Sequence, residues 1–139
     1  MRAVSLEDSV PCPDCGAPAR WHGLQALVGD SLRWDTETVC PECGAAVAVC
    51  GREVPDDVRP RLLIEHGAAV LRLEPPVDRV AVMRVLRREL DLGPAQVGSV
   101  LERVLTAGYE GTLPEIELLA RRLRDVGVGA AAVWPRGGG

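Results

Sequence analysis

Four cysteines fall into two matched pairs. Cys12-Pro-Asp-Cys15-Gly16 and Cys40-Pro-Glu-Cys43-Gly44 are near copies, with twenty-four residues between the second cysteine of one and the first of the other. A C-x2-C pair lets two thiolates reach one ion from a tight turn. The glycine that follows relieves strain where backbone amides curl toward the sulfurs. Two such pairs make a tetrahedral ligand set with no open position, which is the chemistry of a structural Zn²⁺. A dithiol redox switch is the other chemistry open to a C-x2-C pair, but it needs one pair and not two matched ones.

The remaining groups of this kind are few. Cys50 stands seven residues after Cys43 and reads as a small buried hydrophobe. His22, beside Trp21, reads as a surface or half-buried side chain rather than a fifth ligand. There is no glycine-rich phosphate loop, no serine or cysteine nucleophile in a recognisable motif, and only two histidines for general-base work. The expectation from the residues is that the protein is not an enzyme.

The elements that must position the cysteines are short strands. Residues 19–27 and 31–39 read as two strands with Gly29-Asp30 as their turn, and residues 45–50 as a third. The pattern resembles a zinc ribbon. A core this small needs metal binding to supply much of its folding free energy, on the order of 10 kcal/mol for structural sites.

Composition sets the outer bounds. The chain has 139 residues, 47% hydrophobic and 26% charged, which is a globular composition. It lacks phenylalanine and lysine, so leucine, valine and alanine must fill the interior. Residues 1–57 hold four arginines against ten acidic residues, a net of −6; residues 58–139 hold twelve against ten, a net of +2. An acidic first half repels phosphate backbones. The N-terminal ten residues carry Glu7 and Asp8 and no apolar h-region, and no apolar run approaches the ~18 residues of a membrane span. A cytoplasmic protein with reduced thiols is expected.

The breaker-rich run Val54-Pro55-Asp56-Asp57-Val58-Arg59-Pro60 separates two textures. It gives a zinc-ribbon domain over residues 1–55, a linker with a short helix over 56–67, a second domain over 68–134, and a disordered tail over 135–139. In the second domain the strand 68–73 ends at Pro75-Pro76. Val82, Val85, Leu86 and Leu90 follow a 3.6-residue period, as do Val97, Val100, Leu101 and Val104 after Leu92-Gly93-Pro94. Thr112-Leu-Pro-Glu115 is a capping box opening a third long helix, buried through Ile116, Leu119, Ala120 and Leu123. A last strand begins at Ala130. The fold class expected is α+β: a three-stranded ribbon, then a small sheet covered on one face by three helices.

Arg79-Val-Ala-Val-Met-Arg-Val-Leu-Arg87, Leu92-Gly93, Glu110-Gly111 and the stretch from Leu119 to Val128 occur in an order and spacing that carry a resemblance. From about residue 68 to 133 the chain resembles the C-terminal domain of the bacterial large-subunit ribosomal stalk protein. In that family the domain recruits translational GTPases through its first long helix and the start of the second. The resemblance implies a contact face at Val80, Met83, Arg84 and Arg87, whose i, i+3, i+4, i+7 spacing places them on one stripe. An exposed apolar pair rimmed by arginine suits an acidic protein partner. The expected function is a zinc-binding interaction or adaptor protein linked to the translation machinery. The alternative is a nucleic-acid-binding zinc ribbon acting in transcription or on the ribosome. The acidic first half and the scarcity of aromatics weigh against that alternative.

Overall fold

A computed structural model describes residues 2–134. The tail expected over 135–139 lies outside the described residues. The architecture is α+β, with antiparallel sheets and four helices among the described residues. The chain divides into two compact units, Met1–Glu65 and His66–Gly139.

The first unit is a four-stranded antiparallel sheet in sequence order: β1 (Arg2–Pro11), β2 (Pro18–Val28), β3 (Ser31–Val39) and β4 (Ala46–Gly51). Three strands were expected, and β1 is the addition. Its register explains it: Val4 and Leu6 are buried, and the strand pairs with β2 from Arg2↔Leu27 to Pro11↔Pro18. The polar run Glu7-Asp8-Ser9 hides this alternation in the sequence, because those residues lie on an exposed edge.

Trp21 and Trp34 pack on one face of this sheet, their ring centroids 6.1 Å apart and their planes at 51°. Gly23 lies between them in the register, two pairs from each and on the same face. A Cβ at Gly23 would fall 2.7 Å from Trp21 Cη2 and 2.8 Å from Trp34 Cζ2, so only glycine lets the rings close over the strand. In a chain without phenylalanine, these rings with Val4, Leu6 and Leu27 make the unit's small core. The helix α1 (Arg59–His66) follows, with Leu62 buried. Arg61 Nη1 donates to Asp8 Oδ2 at 3.0 Å.

The second unit has a three-stranded antiparallel sheet of order β6-β5-β7, from β5 (Ala69–Leu73), β6 (Tyr109–Gly111) and β7 (Ala130–Val133). The helices are α2 (Arg79–Leu90), α3 (Pro94–Leu105) and α4 (Leu113–Asp125). α4 packs on all three strands and α3 on β5 and β6, while α2 lies chiefly against α3 and α4. Val82, Val85, Leu86, Val97, Leu101, Val104, Ile116, Leu119, Ala120 and Leu123 are buried around Ala69 and Leu71. Leu90 and Val100 are only half-buried.

Caps set the helix starts. Asp78 Oδ1 accepts from the amides of Val80 and Ala81, both at 3.1 Å. Thr112 and Glu115 exchange hydrogen bonds at 2.9 and 3.4 Å. Trp134 Nε1 donates to the His66 carbonyl at 2.8 Å, joining the end of this unit to its beginning. Among the described residues no helix is long and apolar enough to cross a membrane.

Candidate metal centre

Each C-x2-C pair is the turn of a β-hairpin. The first joins β1 to β2, whose last pair is Pro11↔Pro18; the second joins β3 to β4, whose last pair is Val39↔Ala46. The two turns repeat the same hydrogen bonds. The Cys12 amide donates to the Ala17 carbonyl at 2.7 Å and the Gly16 amide to the Cys12 carbonyl at 2.9 Å. The Cys40 amide donates to Ala45 at 2.9 Å and the Gly44 amide to Cys40 at 3.0 Å. Gly16 and Gly44 both sit at φ 76°, the left-handed region that a side chain disfavours.

The adjacency of the hairpins in one sheet brings the four cysteines together. Their sulfurs all lie within 4.8 Å of one another. Cys12 Sγ is 3.7 Å from Cys43 Sγ, and Cys15 Sγ is 3.6 Å from Cys40 Sγ. A tetrahedral ion with Zn–S bonds of about 2.3 Å needs sulfur–sulfur edges of about 3.8 Å. Cys12 and Cys40 are 4% and 2% exposed and pack against Ala19, Val10, Ala17 and Ala45; Cys15 and Cys43 face solvent. One side of the centre is therefore buried in apolar side chains and the other is open to incoming metal.

The surroundings perturb these thiols in opposite directions. Amides of Cys15 and Asp14 point at Cys12 and hold its thiol down to about 7; the Asp14 amide is 3.4 Å from the sulfur. The Ala45 amide acts the same way on Cys43, but desolvation and the three neighbouring thiols outweigh it and push Cys43 up to about 12. Cys15 is also raised: the Ala17 amide lowers it, and Cys40 and desolvation more than offset that. Four sulfurs this close cannot all ionise without a cation among them. A divalent ion that prefers thiolate would balance that charge, and these four sulfurs could hold one.

The other residues singled out from the sequence lie apart from this centre. Cys50 is exposed and not buried, because β4 is an edge strand and Ala46–Cys50 are all exposed. Register sets Cys50 opposite Asp35 and His22 opposite Glu37, all on one face. A cavity of about 180 Å³ is lined by His22, Leu24, Asp35, Glu37, Ala48 and Cys50, among others. Arg33 Nη2 donates to Asp35 Oδ1 at 3.3 Å; that bond and the Asp35 charge, with a smaller contribution from Cys50, raise the guanidinium further. This grouping draws on three strands, and linear spacing gave no sign of it.

On α2, Val80 is 55% exposed, Met83 half-buried, and Arg84 and Arg87 exposed. Arg84, Arg87 and Arg88 border a shallow depression with Asp91 and Leu92.

No family model matches the chain, and no solved structure matches it. Two curated relatives do. The pyrrolidone-carboxylate peptidases of Cupriavidus necator and Cupriavidus taiwanensis are each 33% identical over 136 residues. The alignment covers 94% of this chain, and the chain spans about 62% of the length of these relatives. The similarity overturns the expectation of a non-enzymatic interaction or adaptor protein, together with its nucleic-acid-binding alternative, because both relatives are named as peptidases. That expectation rested on the lack of a nucleophile in a linear motif.

Proposed function

We propose that the protein binds one Zn²⁺ through Cys12, Cys15, Cys40 and Cys43, and that this ion joins the two hairpins of the first unit into a ribbon. The observation that carries the reading is the sulfur geometry: edges of 3.6 and 3.7 Å within a set spanning no more than 4.8 Å. Thiolate donors at this spacing suit a single tetrahedral ion. Metal analysis of the purified chain tests it. One equivalent of zinc supports the reading, and a chain that folds fully without bound metal sinks it.

A second reading concerns catalysis and comes from the two relatives. The chain hydrolyses a pyrrolidone-carboxylate amide, or contributes to a protein that does. A four-thiolate ion has no position for substrate or water, so the chemistry belongs elsewhere. Cys50 is the one cysteine of five outside the metal cluster. It is solvent-exposed on a cavity that His22, Asp35 and Glu37 also line, which are the group types a thiol peptidase uses. Release of a fluorogenic arylamine from its pyrrolidone-carboxylate amide is the assay. Loss of turnover in both Cys50→Ala and Cys50→Ser, with zinc kept bound, supports the thiol as nucleophile; full turnover in Cys50→Ala excludes it, and no turnover in the wild-type chain removes the reading.

A further inference from the structure

The two edges of the first sheet are built differently. β1 carries Glu7, Asp8 and Pro11, residues that discourage pairing with another strand. β4 reads Ala-Val-Ala-Val-Cys-Gly, with no charge and no proline. Among the described residues no strand pairs with its outer edge. Val47 and Val49, on one face, are 48% and 58% exposed. On the opposite face stand Ala46, Ala48 and Cys50.

Acidic groups lie directly behind the small residues of that face. Glu37 is opposite Ala48, and Asp35 is opposite Cys50. The methyl group of Ala48 is too short to screen them from the edge, and the 180 Å³ cavity opens there. The charged and titratable groups around it are Glu37, Asp35, the Arg33 that binds Asp35, and His22. Arg33 offsets Asp35, so Glu37 is the principal attraction for a cation. The wider surroundings reinforce it, since residues 1–57 carry a net −6 from four arginines and ten acids.

We propose that the outer edge of β4 binds an extended basic peptide segment as an added strand, with a Lys or Arg side chain of that segment reaching over Ala48 to Glu37 and Asp35. Main-chain hydrogen bonds supply the pairing, and alternate side chains supply the selection. Two strand spacings, about 10 Å, separate an added strand from β3. An arginine side chain and a glutamate side chain together bridge that gap. Side chains of the other parity lie beside Val47 and Val49, so the fitting sequence alternates aliphatic and basic residues. A second copy of this chain is a poorer occupant, because it brings a β4 without a basic residue and the same net negative unit. The inference goes beyond both readings above, and it is read as binding rather than turnover.

The test uses the full zinc-loaded chain, isotopically labelled, titrated with a blocked hexapeptide of alternating valine and arginine. The Ala46–Gly51 amides should shift, and added salt should weaken the binding. Glu37→Gln should lower the affinity by about tenfold, and N-methylation of alternate peptide amides should abolish it. Glu37 is exposed, so its substitution leaves the fold intact, which the unchanged remainder of the spectrum verifies. Glu37→Lys should gain affinity for the valine–glutamate peptide. Equal binding of arginine and glutamate peptides by the wild type overturns the proposal. So do shifts away from β4, or β4 shifts that track chain concentration without peptide.

Discussion

The Cys12 sulfur lies 3.7 Å from the Cys43 sulfur, so its near neighbour belongs to the other knuckle; Cys15 is paired in the same way with Cys40 at 3.6 Å. A metal held by all four crosslinks β1–β2 to β3–β4 as well as closing each turn. Loss of any one ligand should therefore loosen both hairpins. Cys12→Ser and Cys43→Ser are expected to cut bound zinc well below one equivalent and to lower the melting temperature of the first unit. Cys50→Ser should leave both unchanged. Zinc content and thermal melts, measured on the three variants side by side, decide it.

Metal loading should depend on pH in a definite direction. Zinc binds thiolates, so affinity rises with pH. Cys43, pushed up to about 12, and Cys15, also raised, give up protons on loading throughout the neutral range. Cys12, held down to about 7, gives up its proton only where it still has one, below that value. Proton release per zinc should then be greater at about pH 6 than at about pH 8, by approximately one proton. Titration in weak buffers of different ionisation enthalpy measures the count; a count independent of pH would contradict the Cys12 assignment.

Gly23→Ala places a methyl group against both Trp21 and Trp34. Overpacking of this kind costs about 1–3 kcal/mol. The first unit should lose roughly that much stability, accompanied by a change in tryptophan emission as the rings move apart. A denaturant melt with unchanged midpoint and emission would show that the rings are not closed over the strand.

In the second unit, Thr112→Ala removes the side chain that accepts from the Glu115 amide. The expected cost is about 1 kcal/mol. Arg84→Glu with Arg87→Glu alters two exposed side chains on α2 and should change stability by no more than about 0.5 kcal/mol each. Hydrogen exchange at the start of α4 distinguishes the two: protection falls in the first variant and holds in the second.

The cysteine cluster was legible because the chemistry of a C-x2-C turn is local; four residues and a glycine state the geometry. β3 was legible as 31–39 for a similar reason, since it runs between two clear turns, Gly29-Asp30 and the second knuckle. β1 was not, because Glu7, Asp8 and Ser9 mask the parity of Val4 and Leu6. A signal was present all the same: the second knuckle was read with a strand on each side, and its near copy required the same. Cys50 was misplaced because a valine-alanine run looks identical at the centre and at the edge of a sheet; strand order alone separates them. The grouping of Cys50 with His22, Asp35 and Glu37 depends on register across three strands, which no linear spacing encodes.

Tryptophan placement gives the molecule built-in reporters. Trp21 and Trp34 pack against each other, tilted, in the first unit, while the Trp134 indole N–H donates to the His66 carbonyl in the second. Versions with tryptophan in one unit only, made by Trp134→Phe or by Trp21→Phe with Trp34→Phe, would give separate optical signals without any attached dye. Chelating the metal while following each signal would show, in one cuvette, whether the second unit keeps its structure when the first comes apart.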